Sequence, residues 1–502
     1  MTPREEALTR ELGQCKAELS AAQRQIEVLR QKVDWLVRRV FGSMSEKLDP
    51  AQLELLLHVP HLSTTPTPAA QADLESPTRV TPHRAREPRL PEHLPVVEEI
   101  IEPEVVKAEP EAWRCIGEEV SEQLDYEPAR FVRRRLIRRR YVHRTLREKP
   151  PVIADLPERL LDRSLPAPGL LAYILVSKYC DHIPLYRLEQ IFKNRHGIRL
   201  SRQSMCRWMA LAGDWLQPIY EHIRTGVMGG GYAQLDETPI RFLEPGLGRT
   251  RQGFLWTGNR PGGDVFFHWE PSRATACLER IVPTDFRGVL QTDGYVAYRA
   301  FAASRGSAVQ LAACWAHARR KFHEALELCP RAAGWFMRQI QHLYRVEAGL
   351  REHHAGPRLR AAVRGAQSRP IVERIGKALL RLKTRGRYLP QSTMGQAIDY
   401  ALGQWPGLGL FLDDGRLEID NNQVENSIRP TAVGKKNWLF FGAEDTGQRS
   451  AIIYTIVETC RRKGIDPYVY LKDVLRRLPA MTNHQIPTVV PGTWIAPLNP
   501  AS

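Results

Sequence analysis

Three β-rich runs stand close together in the middle of the 502-residue sequence: YAQLDETPIRFL (residues 232–243), GFLWTGN (253–259) and DVFFHWE (264–270). Gly, Pro and Asn residues separate them, as expected for a meander of three strands. A helical run (272–282) leads to a buried strand, GVLQTDGY (288–295). After a short helical stretch, VQLAAC (309–314) reads as a further strand. The pattern therefore predicts a mixed α/β core.

Two carboxylates occupy special places in this order of elements. Three strands, a helix, a strand, a helix and another strand is the order of a ribonuclease H-like fold, in which one carboxylate lies on the first strand and another ends the fourth. Asp236 and Asp293 stand at those positions. Like charges held close together repel each other, so a protein that pairs them usually binds cations there. Oxygen ligands suit Mg²⁺ or Mn²⁺, and two such ions can activate a water or a 3′ hydroxyl for phosphoryl transfer.

A third carboxylate is expected from a later helix. The run LEIDNNQVENSIRP (417–430) supplies Asp and Asn residues suited to a helix N-cap, and it places Glu425 one turn after Asn421. The helix is predicted to stop at Pro430. Arg429, one turn beyond Glu425, could orient that carboxylate or reach a phosphate.

Other acidic residues of the same sheet have simpler interpretations. Glu237 follows Asp236 directly, and on a strand its side chain would point to the opposite face. We therefore expect it to be structural or to support the ligands indirectly. Asp264 and Glu270 remain alternative ligands on the basis of their position alone.

The composition favours a polyanionic partner. Lys and Arg outnumber Asp and Glu by 72 to 56, which gives a net charge of +16. No long apolar run and no signal-peptide core is present, so membrane and secreted proteins are disfavoured and a cytoplasmic location is expected. The eight cysteines form no C-x-x-C pair, as is typical of reduced thiols.

The N-terminal segment carries a heptad pattern. Apolar positions repeat every seven residues in two series offset by four, Leu8 to Leu36 and Leu12 to Val40. The pattern predicts a coiled coil within residues 1–57 that joins two or more copies, and a surface helix is the alternative. Residues 58–95 are rich in Pro, Ser, Thr and Ala and are predicted to be a linker.

The region 96–150 divides into an acidic half and a basic half, which could largely neutralise each other. FVRRRLIRRRYVHR (131–144) places basic triplets between apolar pairs, so it could lie along DNA phosphates or could be a solvated strand or helix face. The candidate DNA-binding residues here are Arg133, Arg134, Arg135, Arg138, Arg139 and Arg140.

A helix-turn-helix is predicted within residues 151–225. Gly197 would make the turn before a third helix capped by Ser201, on which Arg202, Gln203 and Arg207 would point outward. Such side chains can reach base edges in the major groove. A purely structural packing of three helices is the alternative.

Several longer strings are more specific than isolated carboxylates. They are AQLDETPI (233–240), LQTDGYVAY (290–298), CWAHARRKF (314–322), DNNQVENSIRPTAVGKKNWLFFG (420–442) and QRSAIIYTIVETCRRKGIDPYVYL (448–471). These strings resemble the insertion sequence 66 family of DDE transposases. The likeness covers nearly the whole chain, including WLVRRVFGSMSEKL (35–48) and GEEVSEQLDYEPARF (117–131).

This resemblance implies a catalytic triad of Asp236, Asp293 and Glu425, two divalent metal ions, and cutting and joining at the terminal inverted repeats of a mobile element. It also implies a ribonuclease H-like core in two parts, with a helical insertion before the last acid. The expected segments are 226–320 for the first part, 321–415 for the insertion, 416–475 for the last part and 476–502 for an extended, loosely docked tail.

One departure from the family concerns zinc. Relatives generally carry paired cysteines around the segment at 117–131, whereas here only Cys115 stands upstream, and YVHRT (141–145) replaces the later pair. A four-ligand zinc site cannot be built from these residues. We therefore expect region 96–150 to be a degenerate, zinc-free version that keeps its role in DNA binding.

Four further residues are candidates for DNA contacts. By the same resemblance, His317 could reach the scissile phosphate and Trp315 could stack on an extruded base, although packing or capping is the default interpretation. Lys435 and Lys436 precede Trp438, Phe440 and Phe441, a combination suited to gripping a strand end, but these aromatic residues could equally be core.

The sequence thus predicts a multidomain α+β protein with a coiled coil, a helix-turn-helix region and a ribonuclease H-like core. Its expected partners are double-stranded DNA, further copies of the same chain and accessory proteins of the same element. Two rival functions remain open. A DNA-binding regulator would bind ends without cutting them, and a structure-specific nuclease on the same fold would cut but never join.

Overall fold

The computed structural model describes residues 94–127, 130–145, 148–160, 165–244, 246 and 248–496. These residues all belong to one unit, which spans Glu87–Ser502. The predicted coiled coil at 1–57 and nearly all of the predicted linker at 58–95 lie outside the described residues.

A pair of long antiparallel strands forms the first sheet. They are β2 (Trp113–Glu127) and β3 (Arg130–His143), and β3 lies between β2 and the parallel strand β1 (Val96–Ile101). The short β4 (Val152–Ile153) also pairs with β3, and a short helix, α1 (Glu104–Ala108), follows β1. The region predicted to be zinc-finger-like is therefore built as a β-sheet.

Three helices follow the first sheet: α2 (Pro168–Tyr179), α3 (Leu185–His196) and α4 (Arg202–Met228). Gly197 ends α3 in the left-handed conformation, with φ 68°, which glycine adopts at no steric cost. The Ser201 side chain caps α4 by accepting a hydrogen bond from the Ser204 N–H. The predicted turn and cap are both confirmed.

The second sheet holds the two candidate aspartates. Its strands are β5 (Tyr232–Leu243), β6 (Thr250–Asn259), β7 (Val265–Glu270), β8 (Gly288–Thr292), β9 (Val309–Ala313) and the short β10 (Phe440–Phe441). The order is β7-β6-β5-β8-β9, with β5 to β7 antiparallel and β8 and β9 parallel to β5. Helices α5 (Thr275–Ile281) and α6 (Val296–Arg305) connect these strands, so the element order is the one that the sequence predicts.

Helices fill the chain between β9 and the last candidate acid. They are α7 (Trp315–Glu324), α8 (Pro330–Glu352), α9 (Pro357–Val363), α10 (Arg369–Thr384), α11 (Thr393–Gly403) and α12 (Trp405–Gly409), with a π-helical turn at Arg364–Ser368. Phe336, Ile340 and Leu379 are among the residues of a second hydrophobic core, which also includes Ala312 and Ala313 of β9. The helical layer is thus packed against the β9 side of the sheet.

Two long helices complete the unit, α13 (Asn422–Trp438) and α14 (Glu444–Arg462). The predicted stop of α13 at Pro430 is wrong, because the helix continues for two more turns. Proline cannot donate a hydrogen bond to the carbonyl of Asn426. Asn426 is exposed, so water can satisfy that carbonyl and the helix tolerates the proline.

Helix α14 covers the outer edge of the second sheet. Thr455 Oγ1 accepts a hydrogen bond from the Phe267 N–H at 2.8 Å, and Gln448 Oε1 accepts one from the Trp269 N–H at 3.0 Å. Edge strands expose unpaired backbone groups, and here side chains of a helix pair with those of β7.

The C-terminal segment is packed rather than loosely docked. After α15 (Pro467–Arg477), the chain forms two short 3₁₀ turns and returns to the core. Trp494 Nε1 donates to Asp473 Oδ2 at 2.9 Å, and its ring meets Tyr470 edge to face. The prediction of an extended tail is therefore wrong over the described residues, because these long-range contacts hold it.

Candidate active site

Asp236 lies in the middle of β5, opposite Thr257 of β6. Its Oδ1 accepts a hydrogen bond from the Glu237 N–H at 2.9 Å. Burial, and then the nearby carboxylates of Glu237, Asp293 and Glu425, raise the pKa of Asp236 to about 8. The negative charges at this point of the sheet are thus insufficiently compensated by the protein itself.

Asp293 directly follows β8, the strand that pairs with β5. Gly294 has φ 88°, a conformation that favours glycine, and it turns the chain sharply after the acid. Asp293 Oδ1 accepts a hydrogen bond from the Tyr295 N–H at 2.9 Å, and the Asp293 carbonyl accepts one from the Tyr400 hydroxyl at 2.7 Å. Because Tyr400 lies on α11, the helical layer fixes the backbone of this acid.

Glu425 lies in the first turn of α13. The chain before it is held by buried amides of the sheet, since Gln234 donates to the Asp420 carbonyl and Gln291 to the Glu418 carbonyl. Glu425 Oε1 is buried and accepts no hydrogen bond from the described residues, and His317 Nε2 lies 3.7 Å from it. The carboxylate therefore has an oxygen available for a ligand.

The carboxylates meet at an open cavity of about 330 Å³ between β5, α7 and α13. It is lined by Asp236, Glu237, Thr238, His317, Arg320, Glu425, Ile428, Arg429 and Ala432. Asp293 lies close enough to act electrostatically on both Asp236 and His317. Within the described ranges, no three His, Cys, Asp or Glu side chains converge tightly enough to hold a metal ion. A cation held by all three acids would need them to close on it.

Arg273 belongs to this site, although no feature of the sequence singles it out. Its guanidinium donates to Glu237 Oε1 at 2.5 Å, lies 4.0 Å from Asp293 Oδ2 and stacks 3.6 Å from the centre of the Tyr295 ring. Tyr298 donates to the other oxygen of Glu237 at 2.5 Å. Glu237 is thus already bound on both oxygens, although it lines the same cavity as Asp236 instead of pointing away from the site as the strand alternation predicts.

Comparison with known protein families gives a direct match. Residues 163–449 match the family model described as Transposase IS66 family, and this range includes all three acids. The chain belongs to this transposase family. Residues 455–491 match the IS66 C-terminal element, and residues 28–98 match a model described as Transposase C of IS166 homeodomain.

Full-length relatives support the assignment to the IS66 family. The chain is 35% identical over 493 residues to a Sinorhizobium fredii (strain NBRC 101917 / NGR234) protein with the name Uncharacterized protein y4jD, covering 93% of this chain and 94% of that protein. Uncharacterized protein y4qI of the same strain is 35% identical over 491 residues, covering 94% and 89%. No described helix of the IS66-family chain is both long and apolar enough to cross a membrane.

The two alternative acids of this IS66 transposase are engaged elsewhere. Asp264 pairs with Lys463 at 2.9 Å. Glu270 is buried and pairs with Arg280 and His268. Burial alone would raise the pKa of Glu270, but hydrogen bonds from these two partners outweigh it and lower the pKa to about 2. Both acids thus have structural roles.

Trp315 of the IS66 chain cannot stack on a base as predicted, because it is 1% exposed. Its Nε1 donates to the Leu408 carbonyl at 2.9 Å, and its ring packs against Trp405. The correct interpretation is core packing. The alternating pattern of β9 ends just before Trp315, and the residues that bury it are distant in the sequence. Its burial therefore cannot be predicted from the local sequence.

The basic candidates on α13 differ from one another. Arg429 is exposed at the cavity, and Lys436 is exposed at the end of the helix. Lys435 instead holds β5, donating to Thr238 Oγ1 at 3.1 Å and to the Pro239 carbonyl at 3.2 Å. Trp438 and Phe441 are buried and stacked on each other, which places them in the core.

The arginine run of the IS66 chain is paired with acids throughout. Each of the six candidates contacts a carboxylate of β1, β2 or the turn after β1, as follows: Arg133 with Glu122, Arg134 with Asp125, Arg135 with Glu98 and Glu122, Arg138 with Glu119, Arg139 with Glu118 and Glu102, and Arg140 with Glu119. We call this arrangement the arginine ladder. It confirms the expected neutralisation, and a role in DNA binding stays a prediction.

The candidate residues of α4 are exposed as predicted. Arg202, Gln203 and Arg207 face solvent, whereas Met205 and Met209 are buried. Their side chains are therefore accessible to a partner, and contact with DNA bases stays a prediction.

Proposed function

We propose that the chain is a DDE transposase that binds the terminal inverted repeats of its element, cuts DNA and joins the freed ends to a target. The observation that carries the proposal is the meeting of three acids from distant parts of the chain. Asp236 from β5 and Glu425 from α13 line one open cavity, and Asp293, at the end of β8, lies close enough to act electrostatically on Asp236.

The order of strands supports a ribonuclease H-like core. An antiparallel meander of three strands continues into two parallel strands, and the acids lie on the first strand and after the fourth. Neighbouring strands lie about 4.8 Å apart, so this placement brings the first two acids close together. The helical layer stands between β9 and α13 in the chain, which is where the helical insertion is expected.

The donor set fits divalent cations of the Mg²⁺ or Mn²⁺ type. Its ligands are carboxylate oxygens, one of which, Glu425 Oε1, is buried without a hydrogen-bond partner among the described residues. Burial, and then the neighbouring carboxylates, raise the pKa of Asp236, and a bound cation would favour its charged form. A bound pair of ions would supply activation of the attacking oxygen and neutralisation of charge on the phosphate.

The protein's own groups have separate roles around the reacting phosphate. Asp236, Asp293 and Glu425 are the residues that would hold the ions. Arg320 and Arg429 line the same cavity, where they attract the phosphate and orient the strand. His317, next to Glu425, can form a hydrogen bond to the phosphate or the attacking oxygen. Homo-oligomers and accessory proteins of the element complete the proposed assembly.

A cleavage and joining assay tests this function. Labelled duplexes carrying the ends of the element are incubated with Mg²⁺ and a target plasmid, with wild-type protein or Asp293→Asn. We expect loss of both cleavage and joining by at least about 100-fold, because even indirect partners of metal ligands contribute roughly 10- to 100-fold. The matched control is Asp264→Asn, an acid of the same sheet outside the cavity, which should stay active.

Two results would contradict the proposal. Binding of the ends by the wild-type protein without any cleavage would indicate a regulator. Cleavage without transfer of the 3′ end into the target would indicate a structure-specific nuclease.

A further inference from the structure

A second cavity lies along the neighbouring face of α13. It measures about 490 Å³ and is lined by Cys180, His182, Asn426, Arg429, Pro430, Val433, Glu458, Arg461 and Arg462. We call it the arginine pocket. Arg429 lines this pocket and also the carboxylate cavity, so one side chain connects the two.

The arginine pocket carries an excess of positive charge. Three guanidinium groups face one carboxylate, that of Glu458. Arg461 lies 3.6 Å from Glu458 Oε2 and is half exposed, so this ion pair is loose. Arg429 forms no ion pair with any described residue. Two of the three arginines can therefore bind an incoming anion.

The third arginine gives the pocket a rigid wall. Arg462 donates to Asn259 Oδ1, to the Gly263 carbonyl and to Ser427 Oγ, which fixes it between the second sheet and α13. Arg429 is thus mounted on α13, which also carries Glu425, whereas Arg461 and Arg462 belong to α14, which Arg462 fixes against α13. A fixed geometry of this kind lowers the ordering cost of binding.

His182 adds a neutral hydrogen-bonding group to the pocket. It has φ 58°, a conformation that is unusual outside glycine, and its Nδ1 is buried without a partner among the described residues. Burial, and then Arg461, lower the pKa of His182, so the ring is uncharged near neutral pH. Burial raises the pKa of Cys180 to about 12, which leaves the thiol protonated and excludes it as a nucleophile.

We propose that the arginine pocket binds a backbone phosphate of the DNA strand whose reactive phosphate lies at the carboxylate cavity. The proposal rests on the proposed function for the identity of the strand. Glu425 and Arg429 are four residues apart on α13, a rise of about 6 Å. Successive nucleotides of a strand in duplex DNA advance by about 3.4 Å along its axis. A strand that crosses α13 with one phosphate at Glu425 can therefore place a nearby phosphate at Arg429, which lines the arginine pocket together with Arg461.

The test measures equilibrium binding of a 30-base-pair duplex of arbitrary sequence to the full-length protein at several salt concentrations, with EDTA present. Arg461→Gln should weaken binding several-fold and reduce the slope of log affinity against log salt by about 0.9, the value for one lost phosphate contact. Arg461→Lys should keep the slope. The control is Arg345→Gln, which removes an exposed arginine of α8 that lines neither cavity.

The outcomes are distinct from those of the cleavage assay, because binding in EDTA requires no chemistry. An unchanged slope in Arg461→Gln, or an equal change in Arg345→Gln, would overturn the proposal even if the enzyme cuts and joins DNA. Thermal unfolding with inorganic phosphate distinguishes a small anion from a strand. Stabilisation of the wild type by phosphate, combined with an unchanged DNA slope in Arg461→Gln, would also overturn it.

Discussion

Arg273 shows how one residue outside the acidic triad can set its geometry. Its guanidinium lies between Glu237 of β5 and Asp293 after β8, and it stacks on the ring of Tyr295. The arginine therefore connects the two strands that carry the first two acids. It also binds the buried Glu237, so that this carboxylate does not compete for a metal ion.

Replacing Arg273 with Gln should lower cleavage by roughly 10- to 100-fold, as removal of indirect metal-site partners does. It should also destabilise the fold by about 3–5 kcal/mol, because Glu237 would be left buried without its cation. Urea unfolding and the cleavage assay measure the two effects. The double variant Arg273→Gln/Glu237→Gln should recover stability but not activity, and recovery of both would contradict a positioning role.

At this scale the sequence reveals acids better than their supports. Asp236 and Asp293 can be predicted because a strand pattern and a glycine turn are local features of the sequence. Arg273 and the burial of Trp315 are invisible, because each depends on a contact with a residue distant in the sequence. The same limit applies to Arg461, whose pocket is formed by several separate elements.

Among the elements, the segment from Asp414 to Asn421 matters most for the site, because it delivers Glu425. The fully buried Arg364 donates to the Phe411 and Leu417 carbonyls and pairs with the equally buried Glu347. Gln234 and Gln291 of the second sheet also donate hydrogen bonds to this segment. It is therefore held both by the helical layer and by the second sheet.

Arg364→Met should therefore cost about 3–5 kcal/mol of unfolding free energy, because it leaves the buried Glu347 with only its longer contact to Arg360, at 3.4 Å. Cleavage measured well below the unfolding temperature should fall as well, since the segment before Glu425 loses its anchor. Arg364→Met/Glu347→Leu is the control. It should regain most of the stability, and full activity in this double variant would show that the segment needs no such anchor.

Local sequence rules predict the elements well except where the tertiary structure overrides them. The turn at Gly197 and the cap at Ser201 follow from residue type alone. Pro430 does not stop α13, because the carbonyl that it leaves unpaired belongs to an exposed residue. The sequence of the C-terminal segment predicts an extended chain, but Trp494 donates a hydrogen bond to Asp473 of α15 and so packs the segment against that helix.

For the whole molecule, the net charge of +16 overstates what the arginine ladder offers to DNA. The six arginines of the arginine ladder are matched by carboxylates within the same sheet. Composition alone gives the sign of the charge, and only the strand register shows which part of it is already neutralised.

The variant Glu119→Gln/Glu122→Gln tests whether the arginine ladder is a masked DNA-binding surface. It removes the carboxylates that pair with four of the six arginines. We expect tighter binding of an arbitrary duplex and a steeper salt dependence, by roughly 0.9 for each arginine that reaches a phosphate. Val105→Gln, an exposed neutral change on α1, is the control. Unchanged binding would assign the ladder to folding alone.

The cover that α14 places over β7 has a consequence during synthesis. A ribosome that stalls in the helical layer, or a frameshift there, yields a product with both aspartates but with the bare outer strand of the sheet. Such a nascent fragment offers free backbone groups for intermolecular pairing and is expected to aggregate or be degraded. Truncated copies of the gene would then leave little product to compete with the intact chain for its partners.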